Sequence, residues 1–240
     1  MYEQLTGYAR RINLEITDKM LSQLDTYYNM VIERNKVMNL TAITDRDDFI
    51  LKHFIDSISV MECPEDIRSR LLGDASLIDV GTGAGFPGMV LKILLPQLKV
   101  TLLDSLNKRV LFLDEVITAL GLEDITTVHS RAEDGARTGL RDSFDIAVSR
   151  AVAAQNILTE YCLPYVKPGG IFIAYKSGSA GEEIQAAGRA VQQLGGGSVT
   201  VTSVTLSDGE TSRCFAVTTK KSPTPKRFPR KAGTAKREPL

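Results

Sequence analysis

Apolar positions in the first seventy residues recur at three- and four-residue intervals. Met20, Leu21, Leu24, Tyr27, Tyr28, Val31 and Ile32 mark one face of a long helix. Thr17 stands where its N-cap belongs, with Asp18 in the first turn and Met20 at the third helical position. Phe49, Ile50, Phe54, Ile55 and Ile58 make a second stripe, for which Thr44 reads as the cap, with Asp47 three residues on. Pro64 predicts the start of a short third helix. Residues 1–72 are thus expected to form a helical extension.

At residue 76 the period changes. Short apolar or β-branched runs at 77–80, 99–104, 125–128, 144–148 and 171–175 alternate with helical stretches at 87–96, 108–120 and 154–165, which predicts a parallel α/β sheet. After a helix at about 182–194, two β-branched runs, 198–206 and 212–219, are joined by Ser207-Asp208-Gly209-Glu210. That connector is too short for a crossover helix, so the two strands are expected to be antiparallel. Five parallel strands and a terminal antiparallel hairpin resemble the Rossmann-like seven-stranded sheet of class I S-adenosylmethionine-dependent methyltransferases. NAD-binding Rossmann domains normally lack that hairpin. The expected organisation is an extension at 1–72, an α/β domain at 73–220 and a tail at 221–240.

Composition adds little to this picture, and charge adds more. At 43% hydrophobic and 24% charged residues the chain is ordinary globular material. No apolar run approaches the roughly 18–20 residues that span a bilayer, and the N-terminus has no signal-like apolar segment, so no membrane partner is expected. Cys63, Cys162 and Cys214 are scattered, which fits a reducing cytoplasm and predicts neither a disulfide framework nor a metal site. The formal net charge is zero, yet residues 221–240 hold seven Lys/Arg against Glu238 alone. The tail is therefore +6 and the remainder −6. Such a tail suits a polyanion such as nucleic acid, or else is a solvated, disordered appendage.

The glycine-rich turn DVGTGAGFPG at 79–88 lies between a strand and a helix, where glycine lets a ligand approach the backbone closely. Gly81-Thr82-Gly83-Ala84-Gly85 reads as the GxGxG of methyltransferases, and Gly83 to Gly88 also reads as a dinucleotide GxGxxG. Two details favour S-adenosylmethionine. Asp79 stands two positions before the first glycine, where class I methyltransferases commonly keep an acid that orders the methionine end of the cofactor. Pro87 removes an N–H that a pyrophosphate would use, and S-adenosylmethionine has no phosphate. Asp104, ending the second strand, suits a ribose diol and does not discriminate between the two cofactors. Ala132-Glu133 follows the third strand, where adenine contacts belong in this sheet type, although taken alone Glu133 reads as a surface acid.

Ordered motifs then carry a resemblance. They are Asn39-Leu40-Thr41, His53-Phe54-Ile55-Asp56-Ser57, DVGTGAGFPG, LLDSLNKRVLFL (102–113), Arg131-Ala132-Glu133, Ser149-Arg150-Ala151 and the basic tail TPKRFPRKAGTAKREPL (224–240). With them the chain resembles the bacterial 16S ribosomal RNA guanine-N7 methyltransferase family, also called glucose-inhibited division protein B. The resemblance implies a 16S rRNA or small-ribosomal-subunit substrate. It also implies S-adenosylmethionine contacts at Gly81, Gly83, Gly85, Phe86, Asp104, Ser105, Leu106, Ala132, Glu133 and Arg150. Three positions depart from the family pattern. Phe86 stands where leucine is common, Tyr175-Lys176-Ser177-Gly178 replaces a lysine-glycine pair, and Ala235 replaces a proline, which is expected to loosen the tail.

The implied chemistry asks for placement. Guanine N7 has a lone pair and no proton, so an in-line displacement at the sulfonium methyl requires no general base. The chain has no [DNS]PPY motif and no Pro-Cys nucleophile, which amino-group and pyrimidine-carbon methylation use. Because N7 must stay free, the arginine fork to O6 and N7 is excluded and guanine is expected to be read at O6 or its Watson–Crick edge. Arg150, ending the fourth strand, is a candidate for O6 or for the cofactor carboxylate; its bland alternative is a pair with a local acid such as Asp145. His53 and Asp56, at i and i+3, read either as a structural pair holding their helix to the core or as substrate-facing groups. Lys108 and Arg109, at a helix start where cations are unfavourable, join Lys176, Arg227, Arg230 and Lys231 as candidate phosphate contacts. The competing functions are a small-molecule methyltransferase, a non-enzymatic RNA-binding module and an NAD oxidoreductase.

Overall fold

The computed structural model describes residues 2–150, 152–178 and 180–240. One seven-stranded sheet organises them: β1 (Ser76–Val80), β2 (Lys99–Asp104), β3 (Ile125–His129), β4 (Phe144–Arg150), β5 (Val166–Ser177), β6 (Gly196–Thr205) and β7 (Ser212–Lys220), in the order β3-β2-β1-β4-β5-β7-β6. β1 to β5 are parallel, while β7 runs antiparallel to both β5 and β6, as the short connector requires. Strand order reverses between β1 and β4, and such a switch opens a crevice at the carboxyl ends of the strands.

Both faces are covered, and the strands alternate between two cores. Leu77, Val100, Ile146, Val148 and Ile173 face one core, with Leu24, Tyr27, Phe49, Phe54 and Phe112. Ile78, Leu103, Ala147, Phe172 and Ala174 face the other, with Leu158, Cys162 and Tyr165. The N-terminal helices therefore bury their apolar stripe in the same core as the helix Asn107–Leu120. Tyr27 marks the junction: it is fully buried and its hydroxyl donates to Ala84 O at 2.6 Å, tying the long helix Asp18–Met38 to the glycine turn.

Local signals explain most boundaries. Thr17 Oγ1 accepts from Met20 N, and Gly121 closes Asn107–Leu120 in the left-handed conformation, φ +58°. The second stripe differs from expectation. Its helix is capped by Asp45, which accepts from Asp48 N, not by Thr44. From Ile50 to Ile55 it widens into a π-helical stretch before closing at Asp56–Ile58. Asp45 prevails because its carboxylate sits three residues before a free helical N–H, a charge-assisted cap that threonine cannot match.

The basic tail is ordered and packed. Arg141 donates to Thr224 O and to Phe228 O, and Arg137 Nη2 donates to Pro229 O at 2.7 Å. Glu160, buried in the helix Gln155–Cys162, receives Arg230 N at 2.7 Å and Arg230 Nη2 at 2.6 Å. Phe228 and Ala235 are buried, so the segment is packed with alanine at position 235. Among the described residues, no helix is long and apolar enough to cross a membrane.

Candidate active site

A cleft of about 620 Å³ opens at the carboxyl ends of β1 and β2, within the roughly 300–1,000 Å³ of small-molecule sites. The glycine turn forms its floor. Gly81 and Gly83 adopt φ +75° and +63°. A Cβ on Gly81 would lie 2.7 Å from Val152 Cγ2, whereas nothing lies within 4 Å of one on Gly83, which leaves that stretch of backbone open to a ligand.

The hydrogen bonds of this turn bear on which ligand fits. Gly81 N and Thr82 N donate to Leu103 O, Gly83 N to Asp104 Oδ2, Gly85 N and Phe86 N to Thr82 O, and Gly88 N to Asp79 Oδ2. Pro87 has no N–H. From Gly81 to Gly88 only the N–H of Ala84 has no acceptor within the described protein. A pyrophosphate needs several such donors, so the turn is a poor anion nest. It instead offers acceptors, because the carbonyls of Gly81 and Gly83, both on the cleft wall, accept nothing from the described residues.

The acids divide between bracing and lining. Asp79 is fully buried; its Oδ2 accepts from Thr82 Oγ1 at 2.7 Å and from Gly88 N at 2.9 Å, and its Oδ1 is buried without a partner among the described residues. Burial pushes its carboxyl up to about 6, against the pull of those two hydrogen bonds and of Arg150. Asp104 lines the cleft. Its Oδ1 accepts from Leu106 N, and its Oδ2 from Gly83 N and Arg109 Nη1. Three of about four lone-pair sites are thus used, leaving one for a hydroxyl. Glu133, buried, accepts from Gly233 N of the tail at 2.7 Å.

Of the residues expected at the cofactor, Gly81, Gly83, Phe86, Asp104, Ser105, Ala132, Glu133 and Arg150 line this cleft. Asp79, Gly85 and Leu106 do not. Asp79 lies beneath the turn, Gly85 faces the Tyr27 hydroxyl, and Leu106 has its N–H turned to Asp104. Ala151, the last residue of the Ser149-Arg150-Ala151 motif, lies outside the described residues. The sequence reading missed Leu40, Val152, Tyr161, Gly233, Lys236 and Arg237 on the cleft wall. For the last two, the apolar Phe228 and Ala235 within a basic tail were the available sign that this segment docks.

Arg150 is held by the helix above it. Its Nη1 donates to Asp56 Oδ2 at 2.5 Å and to Lys52 O, its Nη2 bonds His53 Nδ1 at 3.1 Å, and its guanidinium lies 5.2 Å from the Phe86 ring centroid. Its acid is therefore Asp56, not Asp145, which sits at the far end of the same strand and binds Ser76 and Lys167. His53 stacks flat on Phe86, with centroids 4.3 Å apart and planes 5° apart, and bonds Thr41 Oγ1 through Nε2. Burial, and then the Arg150 charge, push its pKa down to about 3. The ring is therefore neutral, with Nδ1 accepting from Arg150 and the proton on Nε2.

The six cations expected on RNA phosphates separate in the same way. Lys176 is spent on Glu183 and Ala153 O, Arg230 on Glu160, and Arg109 leans on Asp104. A carboxylate or carbonyl within reach takes each of these charges first. Lys108, Arg227 and Lys231 are exposed, Arg227 over the Phe228 ring.

A family model described as "GidB: rRNA small subunit methyltransferase G" matches residues 20–212. The chain belongs to the GidB family. It is accordingly an enzyme, a methyltransferase. A "Ribosomal RNA small subunit methyltransferase G" of Lactobacillus johnsonii is 45% identical over 232 residues, covering 96% of this chain and 95% of the relative. That of Alkaliphilus metalliredigens is 46% identical over 233 residues, covering 97% and 95%. Among solved structures, a 16S rRNA (adenine(1408)-N(1))-methyltransferase from Catenulisporales acidiphilia superposes with TM-score 0.51 at 16% identity, covering 66% of this chain and 90% of that one. The fibrillarin pre-rRNA processing protein of Methanococcus jannaschii gives 0.50 at 12% identity, covering 64% and 69%. These structural likenesses bear on the fold, the class I methyltransferase sheet expected from the strand pattern.

Proposed function

We propose that this GidB-family enzyme transfers a methyl group from S-adenosylmethionine to N7 of a guanine in 16S rRNA, presented as RNA or within the small ribosomal subunit. The observation that carries the cofactor is the exhausted set of donors in the glycine turn. A floor with open carbonyls and almost no free N–H suits a cationic, phosphate-free nucleoside and disfavours NAD. When bound, S-adenosylmethionine supplies an electrophilic methyl group on a sulfonium.

The chain's own residues supply the rest. Asp104 is the candidate partner for the ribose, Ser105, Ala132 and Glu133 would border the base, and the Gly81–Gly83 backbone would hold the methionine portion. Asp79 acts at one remove, by holding Thr82 and Gly88 so that the turn keeps its shape. No side chain is required as a base, and the neutral His53, locked between Arg150 and Thr41, fits that absence of demand. Arg150 works as a positioning residue. Its bonds to Asp56, Lys52 O and His53 fix the wall where acceptor and cofactor meet. Lys236 and Arg237, exposed on the cleft rim, are the best placed tail cations for RNA phosphates, with Lys108, Arg227 and Lys231 further out.

The test is transfer of labelled methyl to small subunits followed by mapping of the modified base. N7-methylguanine in 16S rRNA is expected, and label elsewhere overturns the assignment. Calorimetry separates the cofactors: S-adenosylmethionine is expected to bind and NAD is not.

A further inference from the structure

Beside the cofactor cleft lies a second one, of about 440 Å³, and the two share a wall made of His53 and Arg150. The second cleft sits at the carboxyl ends of β4 and β5, lined further by Lys52, Asp56, Lys176 and Arg213. Its chemistry centres on Asp56. That carboxylate is 2% exposed and is shared by two guanidiniums: Arg150 Nη1 on Oδ2 at 2.5 Å and Arg213 Nε on Oδ1 at 2.6 Å. Two cations on one carboxylate leave one net positive charge in a half-buried setting. Arg213 Nη1 donates to Ser212 O, and its Nη2 has no partner among the described residues. Lys52 adds a charge balanced by the exposed Asp48, and Lys176 one balanced by Glu183. Arg150 is also within electrostatic reach of the buried Asp79 carboxylate, so the least compensated charge is that of Arg213, on the side away from the cofactor floor.

We propose that this second cleft receives the acceptor nucleotide, with the Arg213 guanidinium binding the phosphate next to the methyl-accepting base. The inference rests on the RNA-methyltransferase reading above and adds where the acceptor lies. Three features carry it: the shared wall puts the two ligands next to each other, the excess charge calls for an anion, and a guanidinium held at Nε by a buried carboxylate presents its remaining N–H groups in a fixed fork suited to phosphate. The base itself carries no charge, so the anion in this cleft is the backbone phosphate. Arg150 has spent both hydrogens of Nη1 on the protein and therefore anchors the wall, while Arg213 meets the ligand.

The experiment uses the full chain saturated with S-adenosylhomocysteine, so that the cofactor cleft is filled, and titrates 5′-GMP and guanosine. GMP is expected to bind about tenfold more tightly than guanosine, and Arg213→Gln to erase that difference. In turnover, Arg213→Gln is expected to raise KM for rRNA about tenfold, with kcat and S-adenosylhomocysteine affinity within about twofold of the unsubstituted enzyme. Equal GMP and guanosine affinities, an unchanged KM, or an equal loss of S-adenosylhomocysteine affinity overturns the proposal. Should Arg213→Gln fold poorly, the half-buried Lys52→Gln reports on the same cleft: a KM for rRNA raised about threefold supports it, and an unchanged one overturns it. If the unsubstituted enzyme leaves rRNA unmethylated, the broader reading fails, and the GMP titration still decides whether the cleft holds a nucleotide phosphate.

Discussion

Asp79→Asn isolates the cost of one buried charge. The Asp79 carboxyl is fully buried, and burial raises it from the usual 3.8 to about 6. Below about pH 4 the group is protonated in both folded and unfolded chains, and its burial carries no charge penalty. Between about pH 4 and pH 6 the unfolded chain ionises first, and above pH 6 the folded chain carries a charge in a site with one orphan oxygen. Stability attributable to this group is thus full at low pH and lost as pH rises through about 6. The difference corresponds to roughly 3 kcal/mol. Asparagine has nearly the same shape and no charge. It pays a constant penalty for an amide nitrogen beside the orphan position, but that penalty does not vary with pH. Urea unfolding of both proteins at intervals from pH 4.5 to 7.5 measures the quantity directly. Because part of the shift falls below pH 4.5, the stability of the asparagine variant relative to the parent is expected to rise by about 2 kcal/mol across that range. All other groups titrate alike in the two proteins and cancel. A difference that stays flat, or falls, would refute the reasoning.

Other perturbations follow from the same structure. In Gly85→Ala the new Cβ would lie 2.5 Å from Tyr27 Oη at φ +109°, breaking the bond to Ala84 O. A loss of about 3 kcal/mol is expected, read as a Tm lower by about 6–12 °C. Arg230→Ala strands the buried Glu160 carboxylate; a loss of about 3 kcal/mol and weaker S-adenosylmethionine binding are expected, because Gly233, Lys236 and Arg237 of the same tail line the cofactor cleft. Unchanged cofactor affinity in a folded Arg230→Ala protein would separate the tail from the cleft. Since burial beside Arg150 holds His53 at about 3, kcat is expected to show no histidine inflection between pH 6 and 8. An inflection abolished by His53→Gln would contradict this.

The sheet was legible because its signals are local. Alternating apolar runs, the Thr17 cap, Gly121 and the four-residue hairpin connector each act within a few positions. The glycine turn was legible as a tight strand-to-helix connection, which the structure puts on the floor of a cleft, but the role of Asp79 was not: an acid two residues before the turn looks the same in sequence whether it meets a ligand or braces the loop from beneath. Long-range pairing was hidden for a plainer reason. Arg150 and Asp56 are 94 residues apart, and Arg230 and Glu160 are 70 apart, so nothing in either neighbourhood names the partner. Asp145 was the near acid along the chain, yet an extended strand carries it to the opposite end of the sheet. The tail's two readings, polyanion binding or a solvated appendage, stay open at the level of sequence because charge dominates its composition, while its docking depends on Phe228, Ala235 and backbone carbonyls that composition does not weigh.

The glycine turn also carries a kinetic consequence. Its backbone hydrogen bonds close within the chain itself, so the floor is set before any ligand arrives and none of the free energy of association goes into ordering it. Encounter with the cofactor then needs no loop rearrangement at the floor. Any gating of entry and escape falls to the opposite wall, where the tail meets Glu133 through a single backbone hydrogen bond at Gly233.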